Sequence, residues 1–325
     1  MSGVIAGVKA EIAGVGGYLP RHLMTNDELA RMVDTSDEWI QARSGIRARH
    51  IAAADETASF MATQAAQAAL DYAGVNADQV DAILVATSTP DQVFPAVALR
   101  VQAALGITRG FGFDLSAACS GFVYGLSVAE QMMRAGGLKH VLVIGVEVFS
   151  RLLDWTDRGT CVLFGDGAGA VLLRATDDAS RGIMSTHLYA DGRLGDILYV
   201  NGAVGMRDQP GTVVMNGREV FRHAVAKLAE SVEDALRANC LTAADIDWLV
   251  PHQANLRIIE AMGKKLGLSS ERVVVTVDHH GNTSAASIPL ALNEAVRDGR
   301  IRRGDLVLME ALGAGLTWGS ALVRF

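Results

Sequence analysis

Three cysteines are all that this 325-residue chain contains. Cys119, Cys161 and Cys240 form no C-x-x-C pair, and an odd number this small gives no disulfide framework. That fits a reducing compartment. No spacing of histidines and cysteines suggests a metal site. Positive charge is also short: the formal net charge is −7. Bulk charge therefore gives no support to a nucleic-acid or anionic-membrane role. No apolar run approaches the ~18 residues of a membrane span. The first twenty residues are apolar but interrupted by Lys9 and Glu11, with no basic leader, so they read as a strand and a glycine turn and not as a signal peptide. These absences together place the protein in the cytoplasm. What is plentiful is apolar residues, 50% of the chain. That suffices for one large domain or two smaller ones.

The stretch DLSAACSGF, residues 114–122, carries the first chemical signal. The apolar run GFGFDL reads as a buried strand ending near Leu115. Small residues and Cys119 follow, and then an amphipathic run with Phe122, Val123, Leu126, Met132 and Met133 at helical spacing. Cys119 is thus expected in the first turn of a helix. Unpaired N–H groups and the positive dipole end there favour a thiolate and can hold an oxyanion. A free cysteine also packs well as a small hydrophobe, so Cys119 alone decides nothing.

Other stretches read as strands buried on both faces: VDAILVAT, HVLVIGVEV, VVVTV and DLVLMEAL. Helices are expected at 56–74, 94–105 (entered through Pro95) and 218–238, with Asn255 capping LRIIEAMGKKLG. FGDGAGA, residues 164–170, lacks the lysine and the helix of a phosphate-binding loop and reads as a tight turn. The glycine-rich segment 190–211 is the candidate for a mobile cover. Trp39 and Arg43 lie four apart on a short helix; locally this reads as packing.

The chain also echoes itself. AALDYAGVNADQVDAILV, residues 68–85, aligns without gaps on DALRANCLTAADIDWLVP, residues 234–251, and SAAC at 116–119 matches SAAS at 284–287. Each half therefore reads as one β/α unit, residues 1–180 and 181–325, with helices covering a mostly parallel sheet. Ligands gather at the carboxyl ends of such strands. Cys119, His252 and Asn282 each follow one, so they are expected to converge in a single crevice.

DLSAACSGF, PHQAN, HGNTSAASIP and GAGLTWGSALVRF closely resemble the β-ketoacyl-acyl carrier protein synthase III family, over essentially the whole chain. The resemblance implies an α/β thiolase-like fold, with two duplicated five-stranded mixed sheets in an αβαβα sandwich, and a homodimer. It implies decarboxylative condensation of an acyl-CoA starter with malonyl-acyl carrier protein, the initiating step of type II fatty acid synthesis. By the same route Cys119, His252 and Asn282 are the catalytic triad. Trp39, Arg43, Arg158, Gly217, Ala254 and Asn255 contact CoA. Ala314 belongs to the oxyanion turn, and Leu312 and Phe94 shape acyl pockets, Phe94 that of the partner subunit. Arg222, Arg257, Lys264 and Lys265 dock an acidic carrier protein. No permanently bound cofactor is implied; the CoA thioester is a substrate. The chain departs from several members in having Ala314 between Gly313 and Gly315. A starter-specific polyketide or quinolone-type synthase, or an acyltransferase on the same fold, is compatible with these residues. From other classes, a cysteine hydrolase shares the order Cys, His, Asn but lacks its local signature here, and a silent CoA-binding protein would not need the triad.

Overall fold

The computed structural model describes residues 8–202, 208 and 211–325. The first half opens with β1 (Lys9–Tyr18) and an excursion in which β2 (His22–Thr25), α1 (Asn26–Leu29), α2 (Asp37–Ser44) and β3 (Ala48–Ile51) follow. It continues with α3 (Ala58–Ala73), β4 (Ala82–Ala86), α4 (Val97–Ala104), β5 (Phe111–Leu115), α5 (Gly121–Arg134), β6 (His140–Glu147) and β7 (Gly167–Thr176). The second half runs β8 (Gly182–Ala190), β9 (Leu198–Val200), β10 (Val213–Met215), α6 (Gly217–Ala238), β11 (Trp248–Pro251) and α7 (Leu256–Lys265). It ends with α8 (Val277–His280), α9 (Ser287–Arg297), β12 (Leu306–Gly313) and β13 (Thr317–Arg324). Of the glycine-rich segment 190–211, residues 203–207, 209 and 210 lie outside the described residues.

One sheet has the order β1-β7-β6-β4-β5 and the other β11-β12-β13-β8. In each, the strand after the central one turns back antiparallel while its other neighbour is parallel. The central strands are apolar on both faces because both faces are covered. Val141 and Val143 of β6 and Val307 and Met309 of β12 point into a middle layer with α5 and α9. Leu142, Ile144 and Val146 point the other way, against α3 and α4, while Leu306 and Leu308 face α6 and α7. That alternation is the strand period of two, and the result is five layers, helix–sheet–helix–sheet–helix. Burying Phe122 and Leu126 of α5 in the middle layer contributes about 1.5–3 kcal/mol each.

The internal echo is structural as well. β12 begins 166 residues after β6, β11 the same distance after β4, and the short turn 243–245 the same distance after 77–79. Asp81 and Asp247 do the same work in each half: where the central strand begins, Asp81 accepts the Lys139 and His140 N–H groups and Asp247 accepts the Leu306 N–H. By this offset Ala118 (φ 46°) corresponds to Ser284 (φ 50°), each opening the short turn before α5 or α9. The SAAC and SAAS strings therefore match two residues out of register.

Two expected elements are drawn differently. The stretch VVVTV is not a fifth strand; Val273 makes one bridge to Leu249. The buried Gln253 amide takes over as partner: Nε2 donates to Val274 O, and Oε1 accepts from Thr276 and Val277 N–H. The chain then turns into α8. The helix expected from Phe94 begins only at Val97, where the Asp114 carboxylate of β5 accepts the Val97 and Ala98 N–H groups and sets the start.

Candidate active site

Cys119 lies in the turn Ala118–Ser120, between β5 and α5. Ala118 is held in the left-handed region, at a cost on the order of 1 kcal/mol. The turn is tied to the far sheet by two hydroxyls. Ser120 Oγ donates to Ala117 O and lies 2.6 Å from Thr317 Oγ1, which is also 3.1 Å from Ala117 O and 3.2 Å from Ala314 O. Gly313 lies against the same turn; a methyl there would stand 2.7 Å from Cys119 N. Only glycine lets β12 approach and leaves that N–H uncovered.

The sequence suggests a helix terminus that favours a thiolate, but burial wins in the resting protein. It pushes the Cys119 thiol up to about 12, and the nearby Glu147 charge adds to this. Glu147 is itself raised to about 7 by burial, although Ser88, Thr89 and Ser284 all donate to it.

His252 follows β11, its backbone N–H bonded to Glu310 O. Its ring Nδ1 is 2.6 Å from Ser287 Oγ on the first turn of α9. Burial drives His252 down to about 3, so the ring is neutral. Asn282 is anchored at the start of the FGDGAGA segment: its N–H donates to O of Leu163, the residue just before it, and its C=O accepts from Gly165 N–H. The glycines there allow close packing, as expected, but not as a tight turn: Gly167 and Gly169 belong to β7, where Gly169 lies against Pro289 and Leu290 of α9. Gly145 of β6 matters equally, since a Cβ would stand 2.1 Å from Ala285 O and push the Asn282 loop away from the first sheet. Asn282 Oδ1 accepts from Ser284 N–H, which leaves its Nδ2 free to donate.

Cys119, His252 and Asn282, each 6–7% exposed, line one cavity of about 660 Å³. Trp39, Arg43, Arg158, Gly217, Ala254, Asn255, Arg257, Leu312 and Ala314 line it too. The exposed guanidiniums of Arg43, Arg158, Arg218 and Arg257 border it. The Arg43 and Arg158 guanidiniums lie 4.5 and 5.3 Å from the Trp39 ring centroid, so the indole is more than packing. Four named residues stand outside the cavity. Arg222, Lys264 and Lys265 are on the exposed faces of α6 and α7, and Phe94 is 81% exposed.

Sequence reading missed Arg218, Ser284, Ser287 and Glu147. Arg218 is next to Gly217, and both serines fall inside the quoted HGNTSAAS, but nothing local marks a serine as a partner of His252. It also assigned His279 no role. With His280 and Glu294 it brings ligand-type atoms within 4.8 Å of one another. His279 bonds Asp278 and Glu294 and is raised to about 9 by them, so it is a cation at neutral pH. His280 Nδ1 is buried without a partner, and a metal on Nε2 would force a proton onto it. The cluster is an ion-pair network.

A family model described as 3-oxoacyl-[acyl-carrier-protein (ACP)] synthase III matches residues 113–192, and that of its C-terminal part matches 236–325. A β-ketoacyl-[acyl-carrier-protein] synthase III of Acidiphilium cryptum is 70% identical over 97% of this chain and 98% of its own length. One from Granulibacter bethesdensis is 70% identical over 96% and 98%. The crystal structure of 3-oxoacyl-[acyl-carrier-protein] synthase III from Aquifex aeolicus superposes with a TM-score of 0.93, at 46% identity, over 97% of this chain and all of that one. With identity of this degree along almost its whole length, the chain belongs to the 3-oxoacyl-acyl carrier protein synthase III family, on the thiolase-like fold.

Proposed function

We propose that Cys119 carries the acyl group and that His252 and Asn282 stabilise the enolate that receives it. The reaction is the initiating condensation of fatty acid synthesis: acyl-CoA and malonyl-acyl carrier protein give 3-oxoacyl-acyl carrier protein, CoA and CO2. The observation that carries the residue assignment is that three side chains from separate segments are buried on one cavity bordered by exposed guanidiniums.

Cys119 Sγ attacks the thioester carbonyl, and the oxyanion is held by the Cys119 N–H and the backbone near Ala314. The C–S bond to CoA breaks, and the thiol proton ends on the departing CoA sulfur. Malonyl-acyl carrier protein then enters. Loss of CO2 puts negative charge on its thioester oxygen, to which neutral His252 and the Asn282 amide donate. The carbanion attacks the acyl-Cys119 carbonyl, the carbon–sulfur bond to Cys119 breaks, and the freed thiolate takes a proton from water to restore the thiol. Neither donor protonates the carbanion: Asn282 does not ionise, and His252 is neutral and carries no imidazolium proton to give. These groups complete every step, so the reading calls for no further cofactor.

Trp39 and Arg158 take the CoA adenine, Arg43 and its neighbours take the phosphates, and Gly217, Ala254 and Asn255 flank the pantetheine arm. Arg222, Arg257, Lys264 and Lys265 form the dock for an acidic carrier protein. Val93 and Phe94, 70% and 81% exposed, are the residues a second copy would cover. Residues 1–180 supply the nucleophile, and residues 181–325 supply the two donors.

The direct test is reconstitution. Incubation with acyl-CoA is expected to add one acyl mass to the protein, and malonyl-acyl carrier protein is expected to discharge it with release of CO2. An adduct that water alone discharges, without condensation product, would defeat the reading. In the same assay Trp39→Ala is expected to raise KM for acyl-CoA about tenfold or more with kcat little changed, since the ring contacts a part of the substrate remote from the chemistry. A KM unchanged within twofold would remove Trp39 from the adenine site.

A further inference from the structure

We propose that Ser287 is a positioning residue that fixes the tautomer of His252, placing the ring proton on Nε2, the nitrogen free to face the cavity. The proposal deepens the reading of His252 as a donor and rests on it. Ser287 is the first residue of α9 and is 1% exposed. Its Oγ lies 2.6 Å from His252 Nδ1 and 3.3 Å from Gln253 N. A backbone N–H can only donate, so the hydroxyl oxygen accepts from Gln253. The hydroxyl has one hydrogen of its own. Among the described residues, the only acceptor it meets is Nδ1.

Two arrangements are conceivable. In one, Ser287 donates to Nδ1 and Nε2 carries the proton. In the other, Nδ1 donates to Ser287, and the serine hydrogen has nowhere to go inside a buried network. An unpaired buried donor costs enough to favour the first arrangement by about ten- to a hundredfold. The neighbours leave the ring no room to escape the choice. Gln253 spends its whole amide on Pro251 O, Val274 O, Thr276 N–H and Val277 N–H, and His252 N–H is held by Glu310 O. The enolate needs donors, not acceptors. The segment that follows Asn282 thus prepares both: the Ser284 N–H takes Asn282 Oδ1 and leaves Nδ2 to donate, while the Ser287 hydroxyl takes His252 Nδ1 and leaves Nε2–H.

The test has a spectroscopic arm and a kinetic arm. In resting protein labelled with 15N-histidine, the His252 signals, assigned by their loss in His252→Asn, are expected to show protonated Nε2 and unprotonated Nδ1. A protonated Nδ1 overturns the proposal. Ser287→Ala is expected to lower kcat of condensation about ten- to a hundredfold, with self-acylation and KM for acyl-CoA within twofold of wild type. Ser287→Thr, which keeps the hydroxyl, should recover most of the loss. Full condensation by Ser287→Ala, or an equal loss in both half-reactions, would show a dispensable or merely structural residue. Failure of the donor reading shows elsewhere, as His252→Ala condensing normally whatever the tautomer.

Discussion

Cys119→Ala is expected to take up no acyl group from any acyl-CoA, and condensation should fall by about a thousandfold or more, as removal of a covalent nucleophile does. Intact-protein mass spectrometry after exposure to acyl-CoAs of several lengths reads this directly: an added acyl mass in wild type and none in the variant. The same spectra report the preferred chain length. Cys119→Ser should behave almost as badly. The wild-type thiol is already held near 12 by burial, and an alcohol loses its proton far less readily. Stability should change little in either variant, because Cys119 is small and Ala fills most of its volume. Neighbouring thiols offer no substitute: Cys161 is fully buried away from the cavity lining, and Cys240 is exposed at the end of α6. Equal adducts on wild type and Cys119→Ala would end the assignment.

His252→Ala should separate the half-reactions. Self-acylation should persist within a few fold, since the thiol proton leaves with CoA and the oxyanion is held by backbone. Malonyl decarboxylation and condensation should fall about a hundred- to a thousandfold, the usual loss when one donor to a developing anion is removed. The ring is driven from 6.5 to about 3 by burial, so its donor role should not titrate between pH 5 and 8. The same burial has a consequence for stability. The unfolded chain binds a proton at His252 below about pH 6.5 and the folded one does not until about 3. His252 therefore withdraws stability progressively as the pH falls through that window. Equal losses in both half-reactions would make His252 a structural residue, and an unimpaired condensation would remove it from the site.

Much of this was visible in the residues. The alternation of Val, Leu and Ile in HVLVIGVEV could be read as a strand covered on both faces, and it is. The order Cys119, His252, Asn282 after three apolar stretches pointed to one crevice, which the cavity lining bears out. Trp39 was ambiguous: a tryptophan on a short helix looks the same whether it packs or binds, and only the tertiary structure brings Arg158, 119 positions away, against its ring on the cavity wall. VVVTV reads as a strand because β-branched residues favour one. Its ladder was taken instead by the side chain of Gln253, a competitor from a distant turn that no local pattern reveals.

Sequence alone determined the family and the layered plan and singled out the three side chains proposed to react, because each is written in short-range terms: apolar period, small residues at a turn, and strings at matching spacing. The tertiary structure decided the state of those side chains. Whether Cys119 rests as a thiol, whether His252 is neutral and which nitrogen it offers depend on burial and on partners such as Glu147, Ser284 and Ser287. Those quantities come from how much water a site excludes and which polar atoms remain within reach, and both exist only once the two halves have closed on each other.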